Sequence, residues 1–99
     1  MIKVKILRKN DLIVLIEIKG HANYDEYGKD IVCAGVSSIA VGAINNLKTD
    51  DFKITMQEGL IRIETLHEIS YHDQVVLETM IVQLKTMEES YGSFLSINY

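Results

Sequence analysis

Ile2, Val4 and Ile6 alternate with Lys3, Lys5 and Leu7 at the start of the chain, the two-residue period of a strand with one buried and one wet face. Arg8-Lys9-Asn10-Asp11 interrupts the alternation, and an Asn-Asp pair accepts the positive φ that a tight hairpin needs. Leu12 to Lys19 is apolar on both faces until Glu17, which predicts a strand in the sheet interior. Two strands of similar length around a short turn predict an antiparallel hairpin. His21 then stands at the far end of the second strand, where the sheet stops and a polar loop begins.

From Ala34 to Lys48 the period becomes helical. Val36, Ala40, Ala43 and Leu47 lie on one stripe, widened by Ile39 and Ile44. Asp30 is the expected N-cap, with Ile31, Val32 and Cys33 the first three helical residues. Gly35 and Gly42 each cost roughly 1 kcal/mol against alanine in a helix interior, so their presence suggests close approach by another backbone. Packing of helix on sheet is the first reading, and a ligand or subunit contact the alternative. Phe52, Ile54 and Met56 alternate, Glu58-Gly59 turns the chain, and Ile61, Ile63 and Thr65 share a face, which predicts a second hairpin. Ser70 with Asp73 reads as a capping box opening a helix through about Ser90. Leu77, Met80, Ile81, Leu84, Met87 and Tyr91 form its apolar stripe. Gly92 is the expected stop, and Ser93 to Tyr99 alternates as a short edge strand. The expected fold is α+β: a two-layer ββαββα arrangement with two helices packed on one face of a mostly antiparallel sheet, in a single domain over 1–99.

Composition narrows the function classes. The 99 residues are 47% hydrophobic and 24% charged, an ordinary globular balance. A net charge of -4 and the lack of a basic stripe speak against direct nucleic-acid binding. The start of the chain lacks the apolar core of a signal peptide, and the longest apolar run, Leu12 to Ile16, is far short of a membrane span. With a single cysteine there is no internal disulfide, and a reducing cytoplasm is the expected compartment.

The chemistry-bearing stretch is Gly20 to Ser38. Cys33 falls in the first turn of its helix, where free amides and the helix dipole favour an anion and therefore a thiolate. A histidine folding back onto it would supply the base. Taken singly, a cysteine is more often a small buried hydrophobe; the joint pattern favours a pair. The second strand and first helix must pack together, so that strand end and helix start meet at one edge. Asp30 either caps the helix or orients His21, and the cap is the reading taken here. His67 and His72, with His21 and Cys33, lack the short paired spacings of a zinc site, and no metal or cofactor is expected. Asp25 and Glu26 read as solvated loop charges, and Tyr24 and Tyr27 as packing residues with substrate contact as the alternative.

At Gly20-His21-Ala22 and from Gly28 through Asp30-Ile31-Val32-Cys33-Ala34 to Val36-Ser37, the sequence resembles the ribosomal-processing cysteine proteases. These small bacterial enzymes trim the N-terminal extension of a large-subunit ribosomal protein, number twenty-seven. The resemblance covers the chain in size and element order. It implies His21 and Cys33 as catalytic residues with Asp30 beside them, and substrate binding along the signature at Gly20, Ala22 and Ser37. It also implies a homodimer, and an apolar groove beside Cys33 for a substrate that is apolar and aromatic before the cut. Gly35 departs from the usual alanine, which touches helix stability more than chemistry.

Three further expectations follow. The small-residue positions of the first helix and the abundance of apolar surface predict a homodimer. First-turn amides are expected to hold the oxyanion. The loop from Ala22 to Lys29, hinged at Gly20 and Gly28 and poor in aliphatic anchors, is expected to be a lid over bound peptide. The alternative function is a non-enzymatic ribosome-associated adaptor that binds a basic tail through the acidic surface, with Cys33 as packing. Thiol reactivity separates the two, because a structural cysteine resists alkylation at neutral pH.

Overall fold

The structure, a computed structural model, describes residues 1–26 and 28–98. Tyr27, one of the two loop tyrosines, and Tyr99, the last residue of the expected edge strand, lie outside the described residues. Strands β1 (Ile2–Lys9) and β2 (Leu12–Lys19) form the first hairpin, helix α1 spans Ile31–Ile44, and strands β3 (Phe52–Gln57) and β4 (Leu60–Thr65) form the second. Helix α2 (Tyr71–Tyr91) and strand β5 (Leu95–Asn98) follow. The sheet order is β3-β4-β2-β1-β5. All pairings are antiparallel except β1 with β5, which run parallel.

Each expected element is present, and their differences from expectation have local causes. At the first turn Asn10 and Asp11 both take positive φ, 52° and 65°. The register of the hairpin shifts between Leu7 and Arg8, where Ile13 rather than Val14 faces Arg8. That bulge turns Ile13 into the core beside Ile16. It is held from α2: the Gln74 side chain accepts from the Ile13 N–H and donates to the Ile13 carbonyl, both at 3.1 Å. Helix α1 ends at Ile44 rather than running to Lys48, and Leu47 is buried from the turn beyond it.

The core lies between sheet and helices. Ile2, Val4 and Ile6 of β1 and Ile16 and Ile18 of β2 face Val32, Val36, Ala40 and Ile44 of α1 and Leu77, Met80, Ile81 and Leu84 of α2 in one cluster. Full burial of each large aliphatic is worth about 1.5–3 kcal/mol. Ser70 caps α2 by accepting from the Asp73 N–H at 3.1 Å. The Asp73 carboxylate does not complete the capping box; it is buried, accepts from the Lys48 N–H at 3.1 Å and contacts His72 Nδ1 at 2.8 Å. It therefore ties the connection after α1 to the start of α2. Gly92 ends α2 in right-handed conformation, φ -60°. On the β5 edge, Glu88 of α2 accepts from the Ile97 N–H at 2.8 Å, which occupies a donor that an open edge would expose.

The two helical glycines separate. A Cβ at Gly35 would lie 2.7 Å from the terminal carbon of Met87, so the close approach is by a side chain of α2 rather than by backbone or sheet. A Cβ at Gly42 would meet nothing within 4 Å.

Candidate active site

Three pieces of chain converge at one end of the sheet: the exit of β2, the N-terminus of α1 and the β3–β4 turn. Between them is a cleft of about 650 Å³ whose walls include Gly20, His21, Asp30, Cys33 and Ser37. Pairing of β2 with β4, down to Lys19 opposite Leu60, brings the turn to the β2 exit. The cleft is apolar along Ile2, Ile18, Val36, Leu60 and Ile61 and carries Asp25, Asp30 and Glu58 at its polar positions.

Asp30 is the cap of α1. Its Oδ1 accepts from the N–H groups of Val32 and Cys33, each at 3.0 Å, while Oδ2 accepts from the Tyr24 N–H at 2.9 Å. Both oxygens are thus bound to backbone, and neither to His21. Partial burial acts to raise the carboxyl pKa, but the amides of Cys33, Tyr24, Asp25 and Val32 outweigh it and hold the pKa below the ordinary value. The Ala34 N–H reaches the Asp30 carbonyl at 3.0 Å. The first-turn amides expected to hold an oxyanion are therefore already engaged at Val32, Cys33 and Ala34.

Cys33 is half-buried against the core, and its sulfur accepts from the Ala22 N–H at 3.4 Å. His21 is exposed and, among the described residues, makes no hydrogen bond. Its ring packs on the β3–β4 turn at Gly59. Thiol and imidazole thus share one cleft without a hydrogen bond joining them. Ser37, exposed, stands one turn beyond Cys33 on the cleft wall. Ala22 is different: the residue is 3% exposed and packed in the core, and it reaches the site through its backbone N–H.

The loop after His21 is anchored more firmly than its composition implies. The Tyr24 ring stands edge-on to Tyr91 and Phe94, with centroids 5.7 and 5.1 Å apart, and its N–H is held by Asp30. Glu26 pairs with Lys29 at 2.9 Å in the open. His67 contacts Asp51 and His72 contacts Asp73, each at 2.8 Å, and among the described residues no three metal-binding side chains cluster. The wall formed by Gln57, Glu58, Gly59, Leu60 and Ile61 had no signal in the sequence beyond that of a hairpin.

The family model described as cysteine protease Prp matches residues 1–96. The ribosomal processing cysteine protease Prp of Staphylococcus aureus is 35% identical over 85 residues, covering 81% of this chain and 80% of that protein. The protein of the same name from Bacillus subtilis is 34% identical, covering 98% of this chain and 96% of that one. A crystal structure of the S. aureus protease with a covalently linked product peptide superposes with a TM-score of 0.92 at 33% identity, covering 100% of this chain and 99% of that one. The same protease in complex with a substrate peptide gives a TM-score of 0.87 at 31% identity, with the same coverage.

Proposed function

We propose, for a chain that belongs to the cysteine protease Prp family, that its substrate is the N-terminal extension of large-subunit ribosomal protein number twenty-seven, with Cys33 as nucleophile and His21 as general base. The observation that carries this reading is the convergence of His21 and Cys33 on one cleft with an apolar wall of Ile2, Ile18, Val36, Leu60 and Ile61. Such a wall suits a segment that is apolar and aromatic before the cut. The relatives' names as ribosomal processing proteases support the substrate class.

In this reading His21 takes the thiol proton and the Cys33 sulfur attacks the scissile carbonyl carbon. As the tetrahedral adduct collapses, the C–N bond breaks, the amine leaves with the proton from His21, and a thioester remains. Water then attacks the thioester with His21 again as base, which restores the thiol. The Val32 and Cys33 amides are bound to Asp30, so the negative charge on the carbonyl oxygen falls to another donor. The Ala22 N–H, already directed at the sulfur, is the one assigned to it. A donor of this kind is typically worth about 10²–10³ in kcat. Asp30 acts here through the helix start and the Tyr24 backbone, not as an orienter of His21.

The partner in solution is a second copy of the chain, in a reducing cytoplasm. Tyr71, Val75 and Val82 lie along one outward stripe of α2 and are 85%, 43% and 61% exposed. Thr79 and Thr86 on the same stripe turn their hydroxyls back to the Val75 and Val82 carbonyls at 2.8 and 2.9 Å. A surface this apolar supports an interface. The adaptor alternative has no support from a family of proteases.

Incubation with a synthetic peptide of the ribosomal extension, read by mass spectrometry, tests the substrate. Two fragments from a single cut are expected. An uncleaved peptide, in a preparation whose thiol alkylates normally, would overturn the substrate assignment.

A further inference from the structure

Gly59 is the second residue of the tight β3–β4 turn and has φ of +74°. A Cβ built there would lie 2.9 Å from Nε2 of His21, 3.4 Å from Cε1 and 3.6 Å from Cδ2. The imidazole therefore occupies the space that any side chain at 59 would claim. The same glycine holds the backbone before the histidine: its carbonyl accepts from the Gly20 N–H at 2.9 Å. Gly20 is itself confined, with φ of +103° and a would-be Cβ directed onto the Met1 carbonyl. His21 makes no hydrogen bond among the described residues. Among the described residues its ring is thus placed by packing on Gly59 and by the backbone tie at Gly20, and by no polar partner.

We propose that Gly59 is a positioning residue for His21: the missing side chain is the seat of the imidazole, and the β3–β4 turn is what holds the base over the cleft. This rests on the reading of His21 as the general base. The role usually filled by a carboxylate or amide behind a catalytic histidine is filled here by a surface. Misplacing a reacting group by about 1 Å can cost about 10²-fold in rate, and any Cβ at 59 must displace either the ring or the turn.

Gly59→Ala and Gly59→Asn test this together. Both add the Cβ, but asparagine tolerates positive φ better than alanine, so strain and ring displacement separate. Expected is a kcat at least about tenfold lower in both, KM changed by less than threefold, and a shifted acidic limb of the kcat/KM pH profile, with the Asn variant melting nearer the wild type. A folded variant with wild-type kcat would overturn the proposal, as would a kcat that simply followed melting temperature, low in Gly59→Ala and normal in Gly59→Asn. If neither variant folds, a nuclear Overhauser contact between Gly59 Hα and the His21 ring of the wild-type protein decides: its presence supports the seat, its absence overturns it. His21→Ala is assayed alongside. Should it still cleave, the reading of His21 as base fails; should it be inactive while the Gly59 variants keep kcat, only the seat fails.

Discussion

The Ala22 N–H donates to the Cys33 sulfur across 3.4 Å, joining the residue after His21 to the first turn of α1. The chain thereby locks strand exit and helix start together through the sulfur itself.

Cys33→Ala and His21→Ala should each abolish peptide cleavage. Cys33→Ala leaves the Ala22 N–H without the sulfur but removes little buried volume, so its stability should fall by no more than about 1 kcal/mol. His21 is exposed, and its replacement should leave the melting temperature nearly unchanged. The double variant should be no worse than either single one, because residues acting as a unit lose their joint effect once. A destabilised but active Cys33→Ala would assign the cysteine to packing.

Asp30→Ala should destabilise by about 1 kcal/mol or somewhat more, as a lost cap that also frees the Tyr24 N–H. Asp30→Asn, which keeps an acceptor oxygen, should lose less. The pH dependence has a definite sign. The folded pKa lies below the ordinary value, so the carboxylate stabilises fully above the unfolded value of about 3.9. That contribution is lost as the pH falls through the lower folded value. Melting curves of wild type and Asp30→Asn should therefore converge below about pH 4. A gap that stays constant down to pH 2 would refute the linkage.

Tyr24→Ala removes two edge-to-face contacts, with Tyr91 and Phe94, each worth about 0.5–1.5 kcal/mol. Hydrogen exchange should accelerate at the amides of 22–26 and stay unchanged in β1 and β2. If the wild-type loop already exchanges as fast as the variant, the aromatic anchor contributes nothing and composition alone describes the loop.

Gly35→Ala should gain less than the roughly 1 kcal/mol that helix propensity alone predicts, because its Cβ would lie 2.7 Å from the end of the Met87 side chain. In a Met87→Ala background the full gain should appear. Equal gains in both backgrounds, read from thermal melts, would show that Met87 moves aside without cost.

Light scattering at micromolar concentration should give twice the 11.2 kDa mass of the chain. Val82→Glu on the outward stripe of α2 should return the monomer mass. A wild-type mass of 11.2 kDa would remove the homodimer.

What the sequence determined by itself is whatever depends on neighbours along the chain. The alternation of Ile2, Val4 and Ile6 and the stripe from Leu77 to Leu84 specify strand and helix because each burial pattern has one period. Asp30 was legible as a cap because the bonds it makes run to residues two and three positions on. Tertiary structure decided everything that depends on residues far apart. Gln74 meets the backbone of Ile13 only because α2 crosses the bulge in β2, and Asp73 turned from its capping box because the Lys48 N–H arrived beside it. The seat of His21 is of the same kind. Gly59 reads as a turn glycine in the sequence, and it came under the imidazole only when β4 paired with β2 in one register out of several. Local periodicity fixes only which face each residue takes; among the registers of that parity, the pairing of buried Ile16 with buried Ile63 and of buried Ile18 with the partly buried Ile61 selects one.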